Sequence, residues 1–501
     1  MQNFTGTSID ERTTSMVENG EGEFTQLEAS RMSSVDYEST FKKATQMACF
    51  FNLANTIIGS GMLGLPYAYS ASGWFVGSLL LLICGSSSGF ALHTLSLCAL
   101  KIGTPASFYS VATKALPAFT LVIDAAVAIK CFGVATSYLI VIGDLMPDVM
   151  QQLGAPDVAQ DRHLWVGLGF CVVVPLCLLR NIESLKFTST MSICFVIFLT
   201  FLIVLYSANV PGMDACSAVD DGEACVGNTT VATVDVHTFQ VLSIFVFGFT
   251  CQQNIFAVTN EMDRPTPARI NTVIICAIGL AFTVYNIVAA CGYKTYGDQV
   301  EPDILVNYPN NYLTSVARLF VSLLVCFTYP LQCHPSRRSI LSLLHHLDNY
   351  RYGKSDHPVE PSAESTGVDN VVTSPLADGH SSVTAVPAVS TIHTINKTEY
   401  PLKPVALGHE LTEDEQKIRY TYVTCGFLGL SLLIGMTVSN LGVVLALVGA
   451  TGSTTVSYIL PGFFYYIIFK DEGPVWKRRL ALTQGIAGLI LVPLCLSFIF
   501  V

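Results

Sequence analysis

Residues 52–66 of the chain read Asn-Leu-Ala-Asn-Thr-Ile-Ile-Gly-Ser-Gly-Met-Leu-Gly-Leu-Pro. They lie in an apolar run, 45–69, that is long enough to cross a bilayer, which takes about 20 residues. Three glycines and Pro66 nevertheless fall inside it, and glycine costs a helix about 1 kcal/mol relative to alanine and proline about 3. Unwound backbone is tolerated at membrane depth only where protein buries it or a cavity adjoins it. The stretch therefore predicts a broken span.

A broken span presents N–H groups at one half-helix end and carbonyl oxygens at the other, which suit a carboxylate and a cation respectively. The alternative is that the glycines form a small-residue face for helix packing. Packing alone does not explain the polar side chains of Asn55, Thr56 and Ser60 in the same segment. We therefore interpret the stretch as a binding site.

The composition is that of a membrane protein, because 51% of residues are hydrophobic and 13% are charged, against about 25% charged in a soluble domain. We count about eleven apolar spans from length and hydropathy. They lie near 46–69, 73–99, 119–146, 164–180, 188–208, 238–259, 270–293, 312–332, 419–440, 442–468 and 480–500. An all-α integral membrane protein is expected.

Lysine and arginine concentrate on the cytosolic side of membrane proteins. With the N-terminus inside, the inner segments hold Lys42, Lys43, Lys101, Lys114, Arg180, Lys186, Arg264, Arg269, Arg337, Arg338, Lys470, Lys477, Arg478 and Arg479. The outer segments hold Arg162, Lys294 and Arg318. This bias predicts a cytosolic N-terminus. The net charge of -11 lies mostly in tails and loops, so we infer no partner from it, and no nucleic-acid partner is expected.

Two segments outside the spans are polar and lack helical periodicity. We expect a disordered cytosolic tail at 1–41, spans one to eight within 42–347, a disordered cytosolic linker at 348–417, and spans nine to eleven within 418–501. Histidines in the linker lack partners at ligand spacing, so no metal site beyond possible sodium is predicted. Cytosolic partners of the tail and linker are unknown.

The outer segment between spans five and six holds Cys216 and Cys225 beside the glycosylation sequon at Asn228. Two cysteines in one short segment next to a glycan acceptor indicate a disulfide in an oxidising compartment. The pair and the glycan would mark this segment as non-cytosolic.

A second interruption lies five spans after the first, where 245–256 read Phe-Val-Phe-Gly-Phe-Thr-Cys-Gln-Gln-Asn-Ile-Phe. Five is odd, so the two interrupted spans cross in opposite directions. Paired interruptions in corresponding spans of inverted halves indicate a transporter site. A channel also lines its pore with polar residues, but it more often repeats a charged ring or filter.

Here the residues resemble a known family. The stretch 51–66 is similar to the opening span of the amino acid/auxin permease family, in particular its sodium-coupled neutral and fungal vacuolar amino acid transporters. Three further stretches fit, at 133–147, 247–256 and 327–330 (Phe-Thr-Tyr-Pro). The resemblance implies a LeuT-type fold of five plus five inverted spans with an eleventh appended, and transport of neutral amino acids with sodium or protons.

Site residues follow from the same resemblance. It implies that Asn55 and Thr328, with carbonyls around Ala54 and Ile58, bind the cation. It implies that Thr56 and the Gly59, Ser60 and Gly61 segment meet the substrate, and that Phe249, Thr250 and Gln252 shape its side-chain pocket. Gln252 stands where the sodium-coupled group is expected to carry histidine.

The residues themselves leave the coupling ion open. Neutral oxygens of Asn55 and Thr328 suit sodium. Lys130, however, stands near the middle of the third span, and an ionisable residue there is a functional candidate for proton coupling. The alternative is a lysine that extends towards the cytosolic interface, to Asp124.

We therefore expect a secondary amino acid transporter in the lipid bilayer of the plasma membrane or of a vacuole or lysosome. The alternative is an amino acid sensor that signals through its tail or linker. No cofactor is expected beyond the coupling Na+ or H+. No HExxH motif, GxSxG motif or carboxylate cluster lies at the membrane face, so we do not expect an enzyme.

Overall fold

A computed structural model describes residues 44–103, 105–178, 185–216, 225–352 and 413–499. These residues form helices and turns, with one isolated β-bridge between Ala44 and Met262. The predicted tail and most of the predicted linker lie outside the described residues. Their predicted disorder therefore stays a prediction.

The helices are numbered here in chain order. They are α1 (Gln46–Ile57), α2 (Leu65–Ile102), α3 (Phe108–Ala115), α4 (Thr120–Gln152), α5 (Arg162–Leu178), α6 (Leu185–Ser207), α7 (Val236–Gly248), α8 (Asn254–Glu261), α9 (Pro267–Tyr296), α10 (Ile304–Asn307), α11 (Tyr312–Tyr352), α12 (Glu413–Thr437), α13 (Leu441–Val448), α14 (Leu460–Ile468) and α15 (Val475–Ile499). Wider π-helical turns at Gly449–Ser453 and Thr455–Ile459 join α13 to α14.

Helices lie at every predicted span. Within the described parts of the chain, seven continuous helical segments are individually long and apolar enough to cross a membrane, and Arg162–Leu178, Ser192–Ser207 and Val236–Gly248 are shorter apolar helices. The number of crossings stays a prediction, because the first and sixth spans are each built from shorter pieces.

The helix α2 contains the end of the first predicted span and the whole of the second. The two meet at Gly73, whose φ of 76° is a left-handed conformation that favours glycine. A Cβ there would also lie 2.9 Å from the backbone nitrogen of Ala232. This glycine therefore sets the angle between the second half of the broken span and its successor.

The molecule has two ends, which we name from residues found there. On the Asn228 side, the backbone N–H of Asn228 donates to Asp298 at 3.1 Å. On the Lys101 side, Lys101 forms an exposed ion pair with Glu472 at 2.9 Å. Between these ends, α4 packs extensively on α11 and α2 on α9. The two broken spans lie within this helical core.

Candidate substrate and ion site

The first break replaces about two helical turns in the middle of a span. Helix α1 ends at Ile57, and Ile58 and Gly59 leave the helical conformation. A single 3-10 turn, Ser60–Met62, follows before α2 begins at Leu65 with a proline in its first turn. Proline is accepted there because the first helical N–H groups need no intrahelical partner. The glycines and the proline thus end one half-helix and begin the other.

The second break has the same form. Helix α7 ends at Gly248, the next residues form turns, and α8 begins at Asn254. The Thr250 N–H donates to the carbonyl of Phe247 at 3.0 Å, and the Asn254 N–H donates to that of Cys251 at 2.9 Å. The chain is therefore non-helical over a few residues, as at the first break.

The two breaks are joined by side chains. The hydroxyl of Tyr285, on α9, lies 2.5 Å from the carbonyl oxygen of Ile57 and 2.9 Å from that of Gly248, so one proton is shared between the ends of α1 and α7. The Asn254 amide donates to the Thr56 hydroxyl at the start of α8. The two breaks are therefore connected both through Tyr285 and by a direct side-chain bond.

A cavity lies between the first break and α11. The predicted cation-binding residues Asn55, Ile58 and Thr328 line it, and Tyr138 and Gln332 complete its polar wall. The Thr328 hydroxyl donates to the carbonyl of Leu324 at 2.9 Å, which leaves its lone pairs available to a cation. Ala54 is fully buried in α1 behind this wall.

A second cavity lies between the two breaks. The predicted substrate residues Thr56, Gly59, Ser60, Gly61 and Thr250 line it, together with Lys130, Val134, Tyr138, Phe247 and Gln332. Gly59, Ser60, Tyr138 and Gln332 also line the first cavity. The two cavities therefore share one wall, and an occupant of one lies next to an occupant of the other.

Lys130 lies inside the helical core with 2% of its surface exposed. Its Nζ donates to Gln332 Oε1 at 3.4 Å. The backbone of Gly452, in the π-helical part of the tenth span, packs directly on Lys130, since a Cβ there would come within 2.6 Å of the lysine Cβ. The ammonium thus faces the cavity and Gln332.

Phe249 and Gln252 lie away from both cavities. The Phe249 ring packs on Tyr285 at 5.3 Å between ring centroids. Gln252 is fully buried, donates to Ser88 Oγ at 2.8 Å and accepts from Ser457 Oγ at 2.8 Å. Of the three predicted pocket residues, Thr250 therefore lines the cavity, whereas Phe249 and Gln252 hold the break against the surrounding helices.

The segment between the fifth and sixth predicted spans was predicted to carry a disulfide and a glycan. Cys216 and Cys225 are joined by a disulfide there. Asn228 is exposed, and the neighbouring Thr230 N–H donates to the hydroxyl of Tyr293 at 2.7 Å. The segment is thus fastened to the end of α9, with the sequon asparagine open to solvent.

The sequence pattern of one family, described as "transmembrane amino acid transporter protein", matches residues 42–501. The chain belongs to this family. It is therefore a multi-pass membrane protein of a transporter family rather than an enzyme family, with a small-molecule substrate. The resemblance noted at the first break is confirmed across nearly the whole length.

Relatives in yeasts agree with this membership. The chain is 31% identical to vacuolar amino acid transporter 6 of Saccharomyces cerevisiae over 464 residues, which cover 89% of this chain and 96% of that protein. It is 32% identical to vacuolar amino acid transporter 5 of the same yeast, with 84% and 88% covered. Vacuolar amino acid transporter 5 of Schizosaccharomyces pombe is 31% identical, with 91% and 94% covered.

A solved structure shows the fold. MhsT in complex with L-phenylalanine superposes with a TM-score of 0.53 at 10% identity, over 91% of this chain and 99% of that one. The predicted all-α, LeuT-type transporter fold is therefore confirmed.

Two residues of the site were missed at the sequence level, Tyr138 and Gln332. A signal was present, because Lys130 and Tyr138 are eight residues apart and Thr328 and Gln332 four apart, spacings that place side chains on one helix face. Tyr285 carried no such signal, since tyrosine is common in membrane spans and its partners lie far away in sequence.

Proposed function

We propose that the protein carries neutral L-amino acids across its membrane by alternating access around the two broken spans, driven by an ion gradient. The observation that carries the proposal is the shared cavity, which Ser60 and Thr250 line from the two breaks. Unwound half-helix ends supply donors for a carboxylate and acceptors for a cation or an ammonium group. No carboxylate lines either cavity in the described part of the chain, which disfavours a basic substrate side chain.

The joined breaks support alternating access. A ligand shifts a conformational equilibrium only as far as its affinities for the two states differ. A substrate and an ion that contact both breaks and α11 hold these elements together when bound and release them when absent. Tyr285, which bonds the ends of α1 and α7, makes the two breaks respond together.

We further propose that Lys130 takes the place of a coupling cation, so that a proton gradient drives transport. Its ammonium faces the substrate cavity and contacts Gln332, which also lines the candidate cation cavity. A buried charge is unfavourable unless an opposite charge or a hydrogen bond compensates it. Protonation of Lys130 therefore disfavours a second cation nearby, and its deprotonation favours one. Sodium at Asn55 and Thr328 is the competing assignment.

The membrane that we propose is that of an acidic vacuole. The yeast relatives are named as vacuolar amino acid transporters. With the N-terminus in the cytosol, as the lysine and arginine bias predicts, the Asn228 side faces the lumen. Enzymatic removal of N-glycans should then shift the wild type on a gel and leave Asn228→Gln unshifted. A remaining shift that maps to Asn396 would reverse the orientation.

The function is tested by uptake of labelled neutral, acidic and basic amino acids into liposomes that contain the purified protein. A pH gradient and a sodium gradient are imposed separately. We expect neutral amino acids to accumulate under the pH gradient. Saturable binding without uptake under either gradient would identify a sensor instead.

The same assay tests Lys130. Lys130→Ala should abolish the response to the pH gradient and retain substrate binding. Lys294→Ala, which removes an exposed lysine at the end of α9, is the matched control and should behave as the wild type. Sodium-dependent transport that Lys130→Ala leaves unchanged would make Lys130 a structural residue.

A further inference from the structure

The segment Val300–Tyr308, here called the cap, covers the Asn228-side end of the first break. The Ile304 N–H donates to the carbonyl of Leu63 at 3.3 Å. Pro302 packs against the start of the tenth span, since a Cβ on Gly442 would come within 3.0 Å of the proline side chain. The cap therefore bridges the first and tenth spans above the cavity.

Arg318 of α11 holds the cap to the helical core by hydrogen bonds. Its guanidinium is fully buried and donates to the carbonyls of Leu305 and Tyr308 at 3.0 and 2.8 Å. It also forms an ion pair with Asp148 of α4 at 3.1 Å. Opening a path from the cavity to the Asn228 side requires that the cap separate from these partners.

Asp303 is the buried carboxylate of the cap. It has 3% of its surface exposed, and its Oδ1 accepts from the Leu305 N–H at 3.0 Å as the N-cap of α10. Its Oδ2 is buried, and no hydrogen-bond donor among the described residues reaches it. An ionised carboxylate oxygen without a donor is unfavourable in such a site, whereas a protonated one is tolerated.

The charges around Asp303 come from two elements, α11 and α4. Arg318 of α11 favours the ionised form, whereas Asp144 and Asp148 of α4 disfavour it. Asp144 is itself paired with Arg162 at 2.9 Å. The cap's contacts with the first and tenth spans are with residues that do not titrate. Burial, the largest influence, raises the pKa of Asp303 to about 7 from an ordinary value of 3.8.

We propose that Asp303 is a proton-binding site that controls opening of the cap on the Asn228 side. Protonation holds the cap closed, and ionisation favours a state in which the carboxylate reaches water. The inference rests on the proposed alternating access. It is separate from Lys130, which lies in the cavity and not in the cap.

The direction follows from proton linkage. The closed state holds the proton with a pKa of about 7, and an exposed carboxyl has a pKa of about 4. The closed state therefore binds more protons between these values, and opening increases by up to tenfold for each pH unit of rise. Above about pH 7 the ratio of open to closed protein no longer depends on the protonation of Asp303.

Amide hydrogen exchange of the cap tests the proposal without measuring transport. Exchange at Ile304 and Leu305 is followed between pH 5 and 8 in the full-length protein and divided by the intrinsic rate at each pH. We expect the corrected rate to rise towards pH 7 and then level off. A flat corrected rate in the wild type would overturn the proposal.

Asp303→Asn is the deciding variant, because asparagine keeps the N-cap acceptor but cannot ionise. It should fold, as its melting curve will show, and its corrected exchange should not depend on pH. Glu301→Gln, which neutralises an exposed carboxylate of the same cap, should retain the wild-type slope. A wild-type slope in Asp303→Asn would overturn the proposal even if the variant transports normally.

Uptake into liposomes extends the test. The dependence of the rate on pH at the Asn228 side should be lost in Asp303→Asn and kept in Asp303→Glu. Suppose that neither the wild type nor any variant transports an amino acid, while the exchange of the wild-type cap still depends on pH and that of Asp303→Asn does not. The proposed function then fails, and the proton site at Asp303 stands. The two failures are thus distinguishable.

Discussion

The two broken spans look alike in sequence but are built differently. The first break faces the cavities with backbone and small side chains, because Gly59 and Ser60 line both. The second is anchored by a side chain, Gln252, which bonds Ser88 of the second span and Ser457 of the tenth. We infer that the first break meets ligands through its backbone and small side chains, whereas at the second break Thr250 faces the cavity and Gln252 holds the break to its neighbours.

This difference separates two kinds of polar residue in a membrane span. Ser60 of the first break lines both cavities, whereas the Gln252 amide is bonded to other parts of the protein. Its Oε1 also accepts from the Cys251 N–H at 2.9 Å. Polarity alone therefore marks a break and does not show whether a ligand binds there.

The largest expected effect is on stability at the second break. Gln252→Ala would leave the buried Cys251 N–H unpaired, which costs about 1–3 kcal/mol. It would also remove the bonds to the Ser88 and Ser457 hydroxyls, each worth about 0.5–1.5 kcal/mol, although these hydroxyls keep bonds to the Phe249 carbonyl and the Thr250 hydroxyl. We expect a loss of about 3 kcal/mol or more, seen as a lower thermal midpoint. The substrate KM of the remaining folded protein should change by less than about twofold.

Gln253→Ala is the matched control, since the buried Oε1 of Gln253 accepts no hydrogen bond within the described chain. It should lower the thermal midpoint much less. If Gln252→Ala instead keeps the midpoint and raises KM more than about tenfold, Gln252 itself binds substrate and the contrast between the breaks is lost.

The next effect concerns how closely the breaks approach each other. A Cβ on Gly61 would lie 3.0 Å from the Phe247 ring and 3.1 Å from the Gly248 backbone. Overpacking of this kind costs about 1–3 kcal/mol, so Gly61→Ala should reduce the transport rate about tenfold or more.

Gly89→Ala, in the second span and away from both cavities, should cause a smaller loss, because its Cβ would meet only the Ile278 side chain, at 3.8 Å. Initial rates of uptake compare the two variants. Equal losses would show that contact between the breaks does not limit transport.

A tenfold effect is expected at the candidate cation cavity. Asn55→Ala and Thr328→Ala should each raise the ion concentration at half-maximal rate about tenfold, which corresponds to about 1.4 kcal/mol. The double variant should be less than additive, because both oxygens act on one site. Thr328→Ser should be mild, since the hydroxyl stays.

Transport is measured against sodium concentration, and against proton concentration if sodium has no effect. An unchanged half-saturation in both single variants would place the cation elsewhere. That result would also weaken the inference that the first break contacts the ligands.

The smallest effect is expected at the link between the breaks. Tyr285→Phe removes a hydroxyl shared by the carbonyls of Ile57 and Gly248, worth about 0.5–1.5 kcal/mol. We expect turnover to fall about threefold to tenfold with KM nearly unchanged. Tyr293→Phe, which removes a hydroxyl bonded to the Thr230 N–H on the Asn228 side, should leave turnover unchanged. Equal effects would mean that the breaks move independently.

The sequence predicted much of this architecture. Glycines and Pro66 in an apolar run weaken a helix wherever it lies, so the first break could be located from local chemistry. The spans followed from hydropathy and length in the same way. The polar run at 250–254 located the second break, because an apolar span rarely carries so many amides.

Tertiary structure alone decided which polar groups face the cavities. Gln252 and Thr250 are two residues apart, and only packing against the second and tenth spans turns one into the core and leaves the other at the cavity. The bond from Tyr285 and the buried carboxylate of Asp303 likewise depend on segments distant in sequence. The local amino-acid sequence determines where a helix is interrupted. The hydrogen-bond partner of a buried polar group depends instead on which helices pack against it.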